Sequence, residues 1–112
     1  MPDRAFLGDF EQMVLAAVLR LGEGAYGAAI LTEIETRTGR RVSSGSLYVT
    51  LDRIEQKGLI ETWRGDPTPE RGGRPRRYVR VTRSGLEALR DVRQALLNLW
   101  HGIEDRLETA ES

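Results

Sequence analysis

The chain has 112 residues, of which 39% are hydrophobic and 30% charged, with 17 basic and 17 acidic side chains that cancel to zero net charge. That size and composition predict one soluble domain with a modest core and a helical extension. The lack of cysteine excludes disulfides and thiolate metal sites, and no apolar run approaches the roughly 20 residues of a membrane span. The start, MPDRAFLGDF, lacks a secretion signal, so the expected location is the cytoplasm, with no membrane partner.

Asp9 followed by Gln12 reads as a capping box, and Phe10, Val14, Val18 and Leu21 follow at near-helical spacing. Leu15 and Leu19 widen that apolar face, so the first helix is expected to be well buried. Gly22, Gly24 and Gly27 break it. Residues 28–38 form a second helix with Ile30, Leu31 and Ile34 inward and Gly39 as its stop. A third helix opens at Ser43, whose side chain accepts from a first-turn amide, and closes at Gly58. Leu47, Leu51 and Ile54 line its inner face, while Ser44, Ser46, Tyr48, Thr50 and Arg53 form a polar outer one. Glu and Lys cost less helical propensity than Ser or Thr, so this outer face reads as a surface for presentation. Two helices joined by so short a turn are the sequence form of a helix-turn-helix.

Past Gly58 the period changes. Leu59 to Trp63 and Tyr78 to Thr82 are rich in strand formers, with Trp63 expected in the core. Between them GDPTPERGGRPRR is too rich in Gly and Pro for regular structure, so the segment reads as a β-hairpin wing with a long basic loop. Residues 64–83 carry seven arginines against Asp66 and Glu70, whereas the segments on either side are net acidic. Local charge decides what a surface attracts. The last helix is expected from Thr82 or Ser84 to about Glu108. Leu86, Leu89, Leu96, Trp100, Ile103 and Leu107 recur on it in a 3-4 rhythm that Arg93 interrupts, with Val92, Leu97 and Leu99 flanking. A stripe longer than one small core can cover predicts a partner surface, most simply a second copy, with Leu89, Leu96, Trp100, Ile103 and Leu107 as the dimer contact.

These elements compose a mainly α fold with a small β-hairpin: a winged helix-turn-helix domain over residues 1–83, then a dimerisation helix and short tail over 84–112. SGSLYVTLDRIEQKGLIE and GRPRRYVRVTRSGLEAL resemble the PadR-type family of bacterial transcriptional regulators, in its short branch with a single C-terminal helix. The first segment matches in its small-residue start, tyrosine and spaced leucines, the second in its basic wing, aromatic strand and Thr-x-x-Gly helix start. The resemblance spans about residues 7–107; Val79 stands where many members carry a second aromatic. It implies a dimeric repressor on a palindromic double-stranded DNA operator.

The DNA-binding residues expected on that basis are Ser44, Gly45, Ser46, Tyr48 and Arg53 on the third helix and Arg71, Arg74, Arg76 and Arg77 in the wing. Small side chains and the positive helix end suit a phosphate, and arginines beside glycine and proline suit a narrow groove. Tyr48 reads alternatively as partly buried beneath the wing, and the loop as merely solvated. Trp100 reads as an interface anchor or, as in some family members, as a platform for a small aromatic effector. Catalysis has little support: His101 is the only histidine, and no second metal-ligand pattern, phosphate-binding glycine loop or cysteine nucleophile accompanies it, so no cofactor is expected. The competing class is a winged-helix protein-interaction module without DNA binding, which the neutral net charge keeps open.

Overall fold

A computed structural model describes residues 7–66 and 75–109. Its order is α1 (Asp9–Leu21), a 3-10 turn (Gly22–Gly24), α2 (Gly27–Thr38), α3 (Ser44–Gln56), β1 (Ile60–Arg64), β2 (Arg77–Val81), α4 (Arg83–Trp100) and α5 (Glu104–Thr109). The fold is mostly helical with one small antiparallel hairpin and a long C-terminal helix, the winged helix-turn-helix layout expected from the sequence. No helix among the described residues is long and apolar enough to cross a membrane.

The core lies where α1, α2 and α3 meet. Val14, Leu15, Ile30, Leu47, Leu51 and Ile54 have no exposed surface. Each such side chain contributes about 1.5–3 kcal/mol by leaving water. Gly39 and Gly58 adopt left-handed backbone (φ 74° and 77°), as their positions after helices predicted. The start of α1 departs from expectation. Gly8, not Asp9, is its N-cap, and the Gly8 amide donates to Glu11 Oε1 (2.9 Å), while Gln12 reaches back to the Leu7 carbonyl (3.0 Å). Gly27 also begins α2 rather than ending a break, with Tyr26 as its N-cap.

The hairpin pairs Ile60 with Val81, Thr62 with Val79 and Trp63 with Tyr78. Strand alternation gives the core face to Ile60 and Val79, which are buried, and sends Trp63 outward with 47% of its surface exposed. A two-stranded sheet has only one covered face, so the expectation of Trp63 in the core fails; it stacks on Tyr78 instead (5.9 Å between centroids). The chain between α1 and α2 joins this sheet. The Val79 amide donates to the Ala25 carbonyl (2.9 Å), and Tyr26 bridges Tyr78.

Thr82 caps α4 by accepting from the Gly85 amide (3.1 Å), and its hydroxyl donates to the Gly58 carbonyl (2.7 Å). Gly85 is there for space: a Cβ would collide with the Leu59 carbonyl oxygen and crowd Val81. The expected unbroken last helix is in fact two. α4 ends at Trp100, residues 101–103 turn with Gly102 at φ 89°, and α5 is a separate short helix. The apolar stripe divides as well. Val92, read as flanking, is the buried contact to the core, and Leu89 and Leu96 pack half-buried beside it. Leu97, Leu99, Trp100, Ile103 and Leu107 remain exposed.

Candidate nucleic-acid interface

The candidate surface is built on α3. Ser43 caps the helix by accepting from the Ser46 amide (3.1 Å), and its hydroxyl donates to Ser46 Oγ (3.0 Å). Such a cap contributes about 1 kcal/mol and fixes where the exposed first turn begins. Ser44, Gly45 and Ser46 all lie exposed there. Gly45 meets nothing but the Ser43 hydroxyl, 4.0 Å from where a Cβ would sit, so the backbone is open to close approach.

Tyr48 is 41% exposed and rests on the start of α2. Its phenol lies over Gly27, where a Cβ would collide with the phenolic oxygen. The side chain is thus aimed by the start of α2 while its outer edge stays open. Arg53 is exposed one turn further along α3. Thr50, read as outward, is 5% exposed; three residues from Leu47 and four from Ile54, it shares their inner face.

The wing root fastens onto this helix. The Arg77 side chain, 17% exposed, forms an ion pair with Asp52 Oδ1 (3.0 Å) and donates to Glu55 Oε1 (3.1 Å) on α3. Thr62 donates to the other Glu55 oxygen (2.6 Å). Asp52 and Glu55 lie three residues apart on one side of α3, so one guanidinium reaches both and offsets one of their two charges. Arg76 sits over the Tyr26 ring (4.1 Å), which meets Tyr78 edge-on, and its buried Nε has no hydrogen-bond partner among the described residues. Arg71 and Arg74 lie outside the described residues. The structure therefore brings Ser44, Gly45, Ser46, Tyr48, Arg53, Arg76 and Arg77 to one region, with Arg77 turned inward as a clamp.

Four residues escaped the sequence reading. Tyr26 carries Arg76 but lies between two glycines with no periodic pattern to mark it. The acidic pair Asp52 and Glu55 was legible as i, i+3 spacing, yet its partner stands more than twenty residues away. Val49, 58% exposed, lies on the outward side of α3, hidden from sequence because valine ordinarily signals burial.

Trp100, Ile103 and Leu107, three of the expected dimer residues, cluster as exposed apolar groups around the turn between α4 and α5. His101 lies within that turn.

Comparison with known proteins places this geometry. The profile of the transcriptional regulator PadR-like family matches residues 14–91. The transcriptional regulator Rv3488 of Mycobacterium tuberculosis is 42% identical over 71 residues, and that match spans 63% of this chain and 63% of that protein. A PadR family transcriptional regulator from Eggerthella lenta superposes with a TM-score of 0.68 at 31% identity, over 89% of this chain and 82% of its own. A PadR-like transcriptional regulator from Bacillus cereus does so with a TM-score of 0.66 at 25% identity, over 92% and 91%. The matched profile covers the helix-turn-helix, the wing and the first half of α4, and the chain belongs to the PadR-like family of transcriptional regulators.

Proposed function

We propose that this chain is a dimeric, sequence-specific DNA-binding repressor. The observation that carries the reading is the clamp between wing and α3. Two carboxylates on a helix that approaches DNA would repel phosphates, and Arg77 holds both and offsets half of their charge. What then faces outward is Ser44, Gly45, Ser46, Tyr48 and Arg53, with Arg76 beside them and Arg71 and Arg74 close by in sequence.

In this reading the α3 N-terminus enters the major groove, where its free amides and the Ser44 and Ser46 hydroxyls meet a phosphate or base edge. Tyr48 donates its phenolic hydroxyl to the backbone, and Arg53 neutralises a phosphate further along. The wing arginines Arg71, Arg74 and Arg76 reach the neighbouring minor groove. Two copies joined through α4 and α5 set their α3 helices one or more turns apart, about 34 Å per turn, and so select a palindrome. A small aromatic effector against the exposed Trp100 releases the operator by favouring a different spacing.

The test is a mobility shift on the DNA upstream of the chain's own gene at two salt concentrations. Affinity should fall steeply with salt, by about 0.9 log units per log unit for each phosphate neutralised. No shift at low salt, or one indifferent to salt, would favour a winged-helix module that binds protein instead.

A further inference from the structure

The outward side of α3 carries hydroxyls, a phenol and charges, and in their midst one aliphatic side chain, Val49, 58% exposed. A β-branched residue is a poor choice for a solvated helix, since it loses χ1 freedom and gains no burial. Ser46 and Gly45 lie one turn before it and Arg53 one turn after, on the same side. With Phe10 and Thr50 these residues line an open hollow of about 580 Å³. Among the described residues Gly45 meets only the Ser43 hydroxyl, 4.0 Å from where a Cβ would sit, so a bound surface can come down to the helix backbone at this point.

In the major groove, the one apolar group on any base edge is the C5-methyl of thymine. A single exposed valine between Ser46 and Arg53, with only the half-buried Phe10 as apolar neighbour in the hollow, fits one methyl group; a protein partner would need a broader apolar centre. We propose that Val49 is a specificity-determining residue that selects thymine by covering its methyl group, with Ser46 and Arg53 holding polar groups on either side. The proposal rests on the DNA-binding reading above and supplies what that reading lacks, a side chain that distinguishes one base.

The experiment needs no known operator. Duplexes are selected from a randomised DNA pool by the full-length protein, then resynthesised with deoxyuridine at every thymidine position, which removes the methyl groups alone. Covering one methyl corresponds to roughly fourfold in affinity, so a dimer with two such contacts should lose roughly sixteenfold on the uridine duplex. Val49→Ala should bind the two duplexes within about twofold of each other, and Val49→Ile should still discriminate. Equal losses in wild type and Val49→Ala would assign the effect to altered duplex shape and overturn the proposal. So would a wild type indifferent to the exchange. In both of those cases the DNA-binding reading stands, whereas failure to bind any duplex overturns that reading itself.

Discussion

Glu11 is 5% exposed near the start of α1, where it accepts from Lys57 Nζ (2.9 Å) past the end of α3 and from the Gly8 amide. Burial pushes its carboxyl up. The hydrogen bonds from Lys57 and Gly8, with the positive charges of Lys57 and Arg53, outweigh that and hold it below its ordinary value of 4.5. A carboxyl depressed in the folded state adds stability that is fully present above the ordinary value. That stability disappears as pH falls through the lower, folded value. Glu11→Gln should therefore flatten the acid side of the stability curve below about pH 5, followed by urea titration at stepped pH. Lys57→Met leaves the carboxylate buried without its main partner and should cost about 1–3 kcal/mol at neutral pH. An unchanged urea midpoint would show that water replaces the ammonium. No local pattern announces this pair: the partners are 46 residues apart in sequence, and only the packing of α1 on α3 brings them together.

At the level of elements, the wing and α3 behave as one unit because Arg77 joins them. Arg77→Met should keep the hairpin, which has its own ladder and the Glu61–Arg80 pair (2.7 Å), but leave Asp52 and Glu55 bare on α3. DNA affinity should then fall about tenfold or more at low salt, since two uncompensated charges face phosphates. Adding Asp52→Asn and Glu55→Gln to that variant should restore most of it. Failure of the rescue would mean that Arg77 itself touches the nucleic acid. The ends of α3 were legible in the sequence because their signals are local: Ser43 caps by its own hydroxyl and Gly58 turns by its own backbone. The end of α4 was not. Its apolar rhythm continues through Ile103 and Leu107, and one glycine costs a helix only about 1 kcal/mol, so the rhythm masked Gly102. Trp63 misled for a related reason. Hydropathy marks a residue as apolar, but which face of a two-stranded sheet is covered depends on what packs against it.

For the whole molecule, a body of 53 × 42 × 22 Å, most of the exposed large hydrophobic residues among the described ones belong to α4, α5 and the turn between them. Trp100 and Leu107 are each at least half exposed, so charging them spares the fold. Trp100→Glu with Leu107→Glu should give monomers in sedimentation while circular dichroism stays helical. An intact dimer would move the contact to another surface. Monomers should also bind an operator far more weakly, because the second recognition helix no longer arrives with the first. That α4 carries more apolar surface than the core takes up was legible from its rhythm. Which leucines it spends on its own core was not, because α1 claims Val92 and its neighbours only after folding.

The tight seat of Gly85 against the Leu59 carbonyl gives α4 a mechanical property. A rod about 27 Å long is pinned at its base with no clearance, its pivot resting on the residue that leads into the wing. A tilt of about 5° moves the far end by about 2 Å and cannot be absorbed as slack at the base. A force on the tip of α4 therefore bears on Leu59 at its base, and Leu59 leads into the hairpin that Arg77 ties to α3. A group that tilts α4 should on this geometry change amide exchange in the hairpin and in α3 as well as in α4.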